Sequence, residues 1–287
     1  MLDAISAEAL KFTRHRATWG LVWIWPIGLT LIWLLAIGAE LSGAGGEAGG
    51  EGRGGPTAAG WIADNVGFWG VPAYTFGRYI IGAFVAVVFA GEYGWNTWKL
   101  IVPHRARTSL IAAKYAITFI LLAIGFTLAA LLFNLFGWLA DIMTGDSIPA
   151  GITAGALLKA HGAGALAALP ALFLTIAYVS LAAILTRSTV AALVIGLVVT
   201  TVEQLFFNFG PMFEPYAPSL VGALYQLLPG YHVANAASVV SGGQVVEVPF
   251  PSGAFSMLPG ASLAIVAAWI VAMVALTFWS FRRQDIN

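Results

Sequence analysis

The chain has 287 residues, of which 60% are hydrophobic and 9% are charged, and its mean hydropathy is +0.87. Soluble domains carry about 25% charged residues, so this composition excludes a water-soluble globular protein and predicts an integral membrane protein. The net charge is near zero, which gives a nucleic-acid partner no electrostatic support, and the absence of cysteine excludes disulfides, thiolate metal sites and a cysteine nucleophile.

Residues 1–17 predict an amphipathic helix lying along the cytoplasmic surface of the membrane. No short apolar region with a cleavage site opens the chain, so we expect this helix to be retained. Its function is open between a basic anchor that fixes topology and a contact with another protein. The apolar face holds Leu2, Ile5, Ala9 and Phe12, and the opposite face holds Asp3, Ser6, Glu8, Lys11, Arg14 and His15.

Six apolar stretches have the length of about 20 residues that a membrane-spanning helix needs. The fourth stretch passes into the fifth within residues 186–189, which predicts a tight helical hairpin. Pro26 predicts a kink in the first span. The predicted spans are Thr18–Ala39, Pro72–Ala90, Ala112–Leu139, Ala163–Thr186, Val190–Phe209 and Ala261–Phe281.

The distribution of Lys and Arg predicts that both termini are cytoplasmic, and we expect the chain in the cell inner or plasma membrane. With this orientation ten basic residues lie on the inner side, and only Arg53 and Lys159 lie on the outer side. The ten are Lys11, Arg14, Arg16, Lys99, Arg105, Arg107, Lys114, Arg187, Arg282 and Arg283.

Two of the predicted outer connections are unusual in composition. Ser42–Gly60 is rich in glycine and is predicted to be unable to pack. Residues 210–260 contain the apolar stretch Pro218–Val240, which is interrupted at Pro229. We interpret it either as two short helices that dip into the outer leaflet or as two amphipathic helices on the outer surface. The predicted fold is therefore an all-α polytopic membrane protein.

The segment between the second and third predicted spans, residues 91–112, is polar but not simply hydrophilic. Its Glu92 follows directly from the second span, Pro103 lies in its middle, and its basic residues come mostly after that proline. A loop that only obeys the positive-inside rule is one interpretation. A docking surface is the other, because the segment also carries an apolar group that a solvated loop does not need. That group is Trp95, Trp98, Leu100, Ile101 and Val102.

The order Glu92, Thr97, Pro103, Arg107 and Lys114 resembles the loop after the second span of type-2 ABC transporter permeases. The C-terminal sequence "FRRQDIN" and the segment "LYQLLPGYHVAN" before the last span resemble the corresponding parts of that family. The similarity extends over the whole chain. One departure is Asn96, where the family usually has glycine.

The resemblance implies a transmembrane permease subunit of an ATP-driven exporter, whose residues 91–112 form the coupling segment that contacts a separate ATP-hydrolysing subunit. It further implies a second permease copy, and ATP and Mg²⁺ on the partner, with no cofactor or metal on this chain. The apolar, largely uncharged spans suit a hydrophobic or amphipathic substrate. The residues implied for the contact with the ATPase subunit are Glu92, Thr97, Trp98, Pro103, Arg105 and Arg107. Those implied for the interface helix are Phe12, Arg14 and Arg16.

The chain itself has no phosphate-binding loop of the Gly-x4-Gly-Lys-Ser/Thr type, because none of its four lysines follows a glycine. We therefore expect ATP hydrolysis on a partner rather than on this chain.

Arg78 and Glu203 are ionisable residues within predicted spans, each about 9 Å from the outer end of its helix. Such residues are costly in a membrane and are functional candidates. We expect them to pair, or to face a shared outer gate. The alternative is that Arg78 extends outward to the interface and that Glu203 marks the true end of its span.

Three other classes of membrane protein fit the sequence less well. The four histidines lie in connections or at span edges, which disfavours a haem-binding or quinone-binding subunit. No zinc-protease or serine-hydrolase motif is present, which disfavours an intramembrane hydrolase. A non-catalytic structural subunit of a larger membrane complex stays open as the alternative function.

Overall fold

The computed structural model describes residues 2–42, 57–94, 97–145 and 147–285. Trp95, Asn96 and most of the glycine-rich tract, residues 43–56, lie outside the described residues. The α-helices are α1 (Leu2–Thr13), α2 (Arg16–Leu21), α3 (Ile24–Leu41), α4 (Ala58–Asn65), α5 (Thr75–Gly94), α6 (Trp98–Ile101), α7 (Arg107–Thr144), α8 (Ala154–Thr186), α9 (Thr189–Phe209), α10 (Pro218–Leu227), α11 (Pro229–Val240) and α12 (Pro259–Arg283).

Short 3₁₀ helices and one small hairpin connect these helices. The 3₁₀ helices are Gly67–Ala73, Val102–His104 and Gly210–Phe213, and the strands are β1 (Val248–Phe250) and β2 (Gly253–Phe255). The two antiparallel strands pair Val248 with Phe255. The hairpin is not part of the all-α prediction. It forms because Gly253 takes a φ of 145°, a conformation that residues with a side chain rarely adopt.

Five helices in the described ranges are long and apolar enough to cross a membrane: α5, α7, α8, α9 with the 3₁₀ turn that follows it, and α12. The chain is thus an all-α polytopic membrane protein. These five correspond to the second to sixth predicted spans. Two begin well before the prediction, since α7 starts at Arg107 and α8 starts at Ala154.

The first predicted span is divided, because α2 ends before Val22 and α3 begins at Ile24. Pro26 lies in the first turn of α3 and has no N–H to bond the carbonyl of Val22, four residues before it, and the break between α2 and α3 falls at that point, where a kink was predicted. The apolar part of α3, Ile24–Ala39, is shorter than the other five helices. Its crossing of the membrane therefore stays a prediction.

Local sequence explains the tight turn between α8 and α9. Arg187 takes a left-handed conformation with φ 55°, and its N–H donates to the carbonyl of Ala183. The hydroxyl of Ser188 then accepts from the N–H of Ala191 at 3.3 Å and caps the start of α9. Only Arg187 and Ser188 therefore separate the two helices.

The bundle is organised around α5 and α8. Helix α8 packs against α5, α9, α11 and α12, while α1 and α3 pack against α7. The main core contains the fully buried Phe84, Phe89, Phe126 and Leu122. The base of the bundle is the end at which α1, α6 and the last turn of α12 meet. The far end is the one at which α9 leads into α10.

Candidate functional site

From Thr97 onward, the segment between α5 and α7 folds as a compact turn at the base. Helix α6 has four residues and gives way to the 3₁₀ turn Val102–His104, because Pro103 has no N–H to continue the helix. Ala106 is extended, with ψ 129°, and redirects the chain into α7 at Arg107.

Glu92 holds this segment against the end of α5. Its side chain is 1% exposed and accepts a hydrogen bond from the hydroxyl of Thr97. The backbone N–H of Thr97 donates to the carbonyl of Glu92 at 3.1 Å. Lys11 of α1 forms an ion pair with the same carboxylate. One buried acid therefore joins α1, α5 and the segment.

Lys114 completes a cluster of four charges, which we call the base cluster: the buried Glu8, Glu92 and Lys114 and the partly buried Lys11. Lys114 is 0% exposed and donates to the carbonyl of Val88 at 2.8 Å. Its ammonium also lies 3.3 Å from Glu92 Oε1 and 3.4 Å from Glu8 Oε2. Burying a charge is tolerable only when it is paired and hydrogen-bonded, and two acids here balance two lysines.

Aromatic rings close the base cluster from the other sides. The ammonium of Lys114 lies 5.6 Å from the ring of Phe12 and 5.2 Å from the ring of Trp98. Trp98 in turn packs on Phe281 of α12, with 4.6 Å between ring centroids. Phe12 and Trp98 are both almost fully buried. Their positions stabilise the lysine by cation–π contact and exclude water from it.

Arg107 attaches the segment to the end of α12. Its Nη1 donates to the carbonyls of Phe281, Arg282 and Gln284 at 3.1, 3.0 and 2.6 Å. The last carbonyls of a helix have no partner within the helix, so a cation placed there stabilises its end. The side chain of Gln284 extends the connection to the carbonyl of Ile184 in α8 at 2.6 Å.

The residues predicted to contact an ATPase subunit are divided by the structure into two groups. Glu92 and Trp98 are buried within this chain, and Thr97 and Arg107 are partly buried. Pro103 and Arg105 are exposed. Of the interface-helix residues, Phe12 is buried, whereas Arg14 and Arg16 are exposed. Among the described residues of the segment, Lys99, Leu100, His104, Ala106 and Thr108 also have exposed side chains.

The sequence interpretation did not assign Glu8 and Lys11 to the site. It placed both on the polar face of the first helix, because charged side chains are expected to be exposed. In the structure Ala4, Glu8 and Phe12 lie four residues apart and form the buried face of α1 against α7. That spacing is typical of one face of a helix. A glutamate can be buried on this face only because Lys114 neutralises its charge.

Arg78 and Glu203 form a second buried site, nearer the far end. Arg78 Nη2 lies 3.1 Å from Glu203 Oε2, and the two side chains are 4% and 8% exposed. Arg78 Nε also donates to the hydroxyl of Thr175 in α8 at 3.0 Å. The other carboxylate oxygen, Glu203 Oε1, is buried without a hydrogen-bond partner. Leaving a buried acceptor unsatisfied costs about 1–3 kcal/mol.

An apolar groove of about 810 Å³ opens beside Glu203, between α8, α9, α10, α11 and α12. Gly230, at the start of α11, allows that helix to approach closely. A Cβ atom at this position would lie 3.0 Å from Glu203 Cγ. The positive end of the α11 dipole therefore faces the carboxylate.

A family model described as ABC-2 family transporter protein matches residues 4–203, which is more than half of the chain. The chain belongs to the ABC-2 transporter family. This confirms the resemblance to type-2 ABC transporter permeases that was drawn from Glu92, Thr97, Pro103, Arg107 and Lys114. No curated protein and no solved structure matches the chain.

Membership of the ABC-2 family identifies the chain as a transmembrane component of an ABC transporter, a type of subunit that is typically non-catalytic and works with an ATP-binding partner. The matched residues of this ABC-2 protein contain both buried charged sites, since the base cluster begins at Glu8 and the far pair ends at Glu203.

Proposed function

We propose that this chain is the permease subunit of an ATP-driven exporter, and that the exposed side of residues 97–107, with α1 beside it, is where a separate ATP-hydrolysing subunit binds. The observation that carries the proposal is the base cluster. Lys114 and Glu92 connect the segment to α1, α5 and α7 through buried ionic contacts.

Such a joint suits the transmission of force. Because Arg107 also holds the end of α12, a displacement of the segment would move three long helices together instead of deforming a loop. Rigid-body motion of packed elements is the usual way in which a local event becomes a change of access across a membrane. We further propose that two copies assemble and that ATP binding by the partner draws their two segments together.

The binding surface is tested by copurification with the ATP-binding subunit, which we expect to be encoded in a neighbouring reading frame. Leu100 is 72% exposed on α6, and we expect Leu100→Asp to abolish the association while leaving the permease folded. The matched control is Leu158→Asp on α8 at the far end, where leucine is 75% exposed. Equal association of both variants with the ATPase would contradict the proposed contact. It would then favour a structural membrane subunit.

The orientation is tested separately by thiol labelling. The chain has no cysteine, so Arg105→Cys and Lys159→Cys each introduce one unique thiol. A membrane-impermeant maleimide added to intact cells should label the variant at position 159 and not the one at position 105. The reverse pattern would place the segment outside the cell and end the proposal.

A further inference from the structure

The groove beside the far pair has the size and lining of a small-molecule site. Its volume of about 810 Å³ falls within the range of roughly 300–1,000 Å³ typical of ligand pockets. The walls are apolar and aromatic, with Val202 and Phe206 from α9, Tyr231 from α11 and Trp269 from α12. An apolar body of a ligand can therefore be covered along most of its length.

Glu203 is the only charged residue among the described residues that line this groove. Its Oε2 is occupied by Arg78, whereas its Oε1 is buried and accepts no hydrogen bond. The hydroxyl of Tyr178, on the α8 wall, lies close to both Arg78 and Glu203, and Oε1 still has no hydrogen-bond partner. The groove therefore presents one unsatisfied acceptor to whatever enters it.

Charge balance selects the kind of donor that fits. Arg78 and Glu203 already neutralise each other, and the positive end of the α11 dipole adds to the positive side. An ammonium group would leave the site with a net positive charge in a low-dielectric region, and a carboxylate would be repelled by Glu203. A hydroxyl satisfies Oε1 without changing the net charge.

We propose that the groove binds an amphiphile with an apolar body and an uncharged hydroxyl headgroup, which donates a hydrogen bond to Oε1 of Glu203. Identifying this amphiphile as the transported substrate rests on the proposed function. Its binding to the groove does not.

The test is photolabelling of the full chain in phosphatidylcholine nanodiscs, without any ATPase subunit. The probes are three diazirine-bearing alkyl chains of equal length that end in an alcohol, an amine or a carboxylic acid. We expect saturable labelling of the α9 and α11 peptides by the alcohol. Because a hydrogen bond to a charged acceptor is lost or offset in the other two, their labelling should be at least about tenfold weaker.

A matched pair of α9 variants checks that the groove itself is labelled. Val202 lines the groove and is 58% exposed, so Val202→Trp should fill it and remove most of the labelling. Val194 is 51% exposed on the same helix but does not line the groove, so Val194→Trp should leave the labelling unchanged. Thermal unfolding of both variants verifies that they fold.

Three results would overturn the proposal: equal labelling by the three headgroups, labelling that does not saturate, or equal effects of the two tryptophan variants. None of them depends on ATPase association. If labelling of the groove failed while the ATPase subunit still copurified, only this inference would be wrong. If labelling were saturable but copurification failed, only the proposed function would be wrong.

Discussion

The base cluster and the far pair both bury charges in one helix bundle, but they neutralise them to different degrees. Glu92 and Arg78 lie on the same helix, α5, about 21 Å apart at 1.5 Å per residue. In the base cluster every charged side chain has a partner of opposite sign, and Lys114 is sealed by two aromatic rings. In the far pair one carboxylate oxygen has no hydrogen bond and an open groove lies beside it.

This difference separates a structural joint from a binding site. In a fully satisfied cluster no charged group is available to a ligand, and its contacts stabilise one arrangement of α1, α5, α7 and the segment. An incompletely satisfied pair keeps an unmet hydrogen bond that a ligand can supply. The four predictions below test the comparison, beginning with the variant from which we expect the largest effect.

Lys114→Met should destabilise the permease most. It leaves Glu92 and Glu8 with one lysine between them, and removing one partner of a buried ion pair typically costs about 3–5 kcal/mol. The measurement is chemical unfolding in detergent. Lys159→Met, at an exposed position of α8, is the control and should change little. If the two variants were equally stable, the base cluster would not be the joint described above.

Charge reversal tests the far pair. Arg78→Glu and Glu203→Arg should each cost about 3 kcal/mol, the lower end of the range for buried pairs, because one ion pair is broken here whereas Lys114→Met breaks two. The double reversal should recover at least half of that loss. Recovery will be incomplete because the contact of Arg78 with Thr175 is not restored. A double variant as unstable as the sum of the single ones would show that the pairing contributes nothing.

Gly230→Ala tests the close approach of α11 to Glu203. Its methyl group would lie 3.0 Å from Glu203 Cγ and 3.3 Å from the Glu203 carbonyl oxygen, and overpacking of this kind costs about 1–3 kcal/mol. Gly222 lies in α10 with nothing within 4 Å of the corresponding position. Gly222→Ala should therefore stabilise the protein by about 0.5–1 kcal/mol through helix propensity. A gain in stability in both variants would contradict the packing described.

The smallest expected effect is a pH dependence at the base. Burial, and then the positive charge of Lys11, hold the pKa of His15 below its ordinary value, and its Nδ1 accepts from the N–H of Ala17 at 3.1 Å to cap α2. The neutral form is thus favoured in the folded protein. The stability it contributes is fully present above about pH 6.5 and declines as the pH falls below that value, because the unfolded chain then binds the proton more readily.

We expect this decline to stay below about 1 kcal/mol, the typical contribution of a helix N-cap, because His15 is only partly buried and solvent screens its charge. Unfolding measured from about pH 7 to about pH 5 checks it. His15→Asn keeps a capping acceptor that does not titrate and should flatten the profile, whereas His104→Asn, at an exposed position of the segment, should not. An unchanged profile in His15→Asn would assign the pH dependence to another group.

Part of the site is visible in the sequence. Arg78 and Glu203 stand out as charges at similar depths in apolar stretches, and the order from Glu92 to Lys114 stands out as a polar block between two of them. The sequence does not indicate which of these side chains face inward. Glu92 and Trp98 were predicted to be part of a contact surface with a partner, but their side chains are buried, whereas Arg105 is exposed on the segment. The contact with the ATPase subunit itself stays a prediction.

The sequence alone determined the membrane class, the positions of five long apolar helices, the turn between α8 and α9, and the family. These properties depend on local composition and on helical periodicity, and both are defined by residues that are close in the sequence. Only the tertiary structure decided that Glu8 meets Lys114 across 106 residues, that Arg78 meets Glu203 across 125, and that a groove opens beside an unsatisfied oxygen. The physical reason is that the burial of a charge depends on which distant partner neutralises it, and a local pattern does not specify that partner.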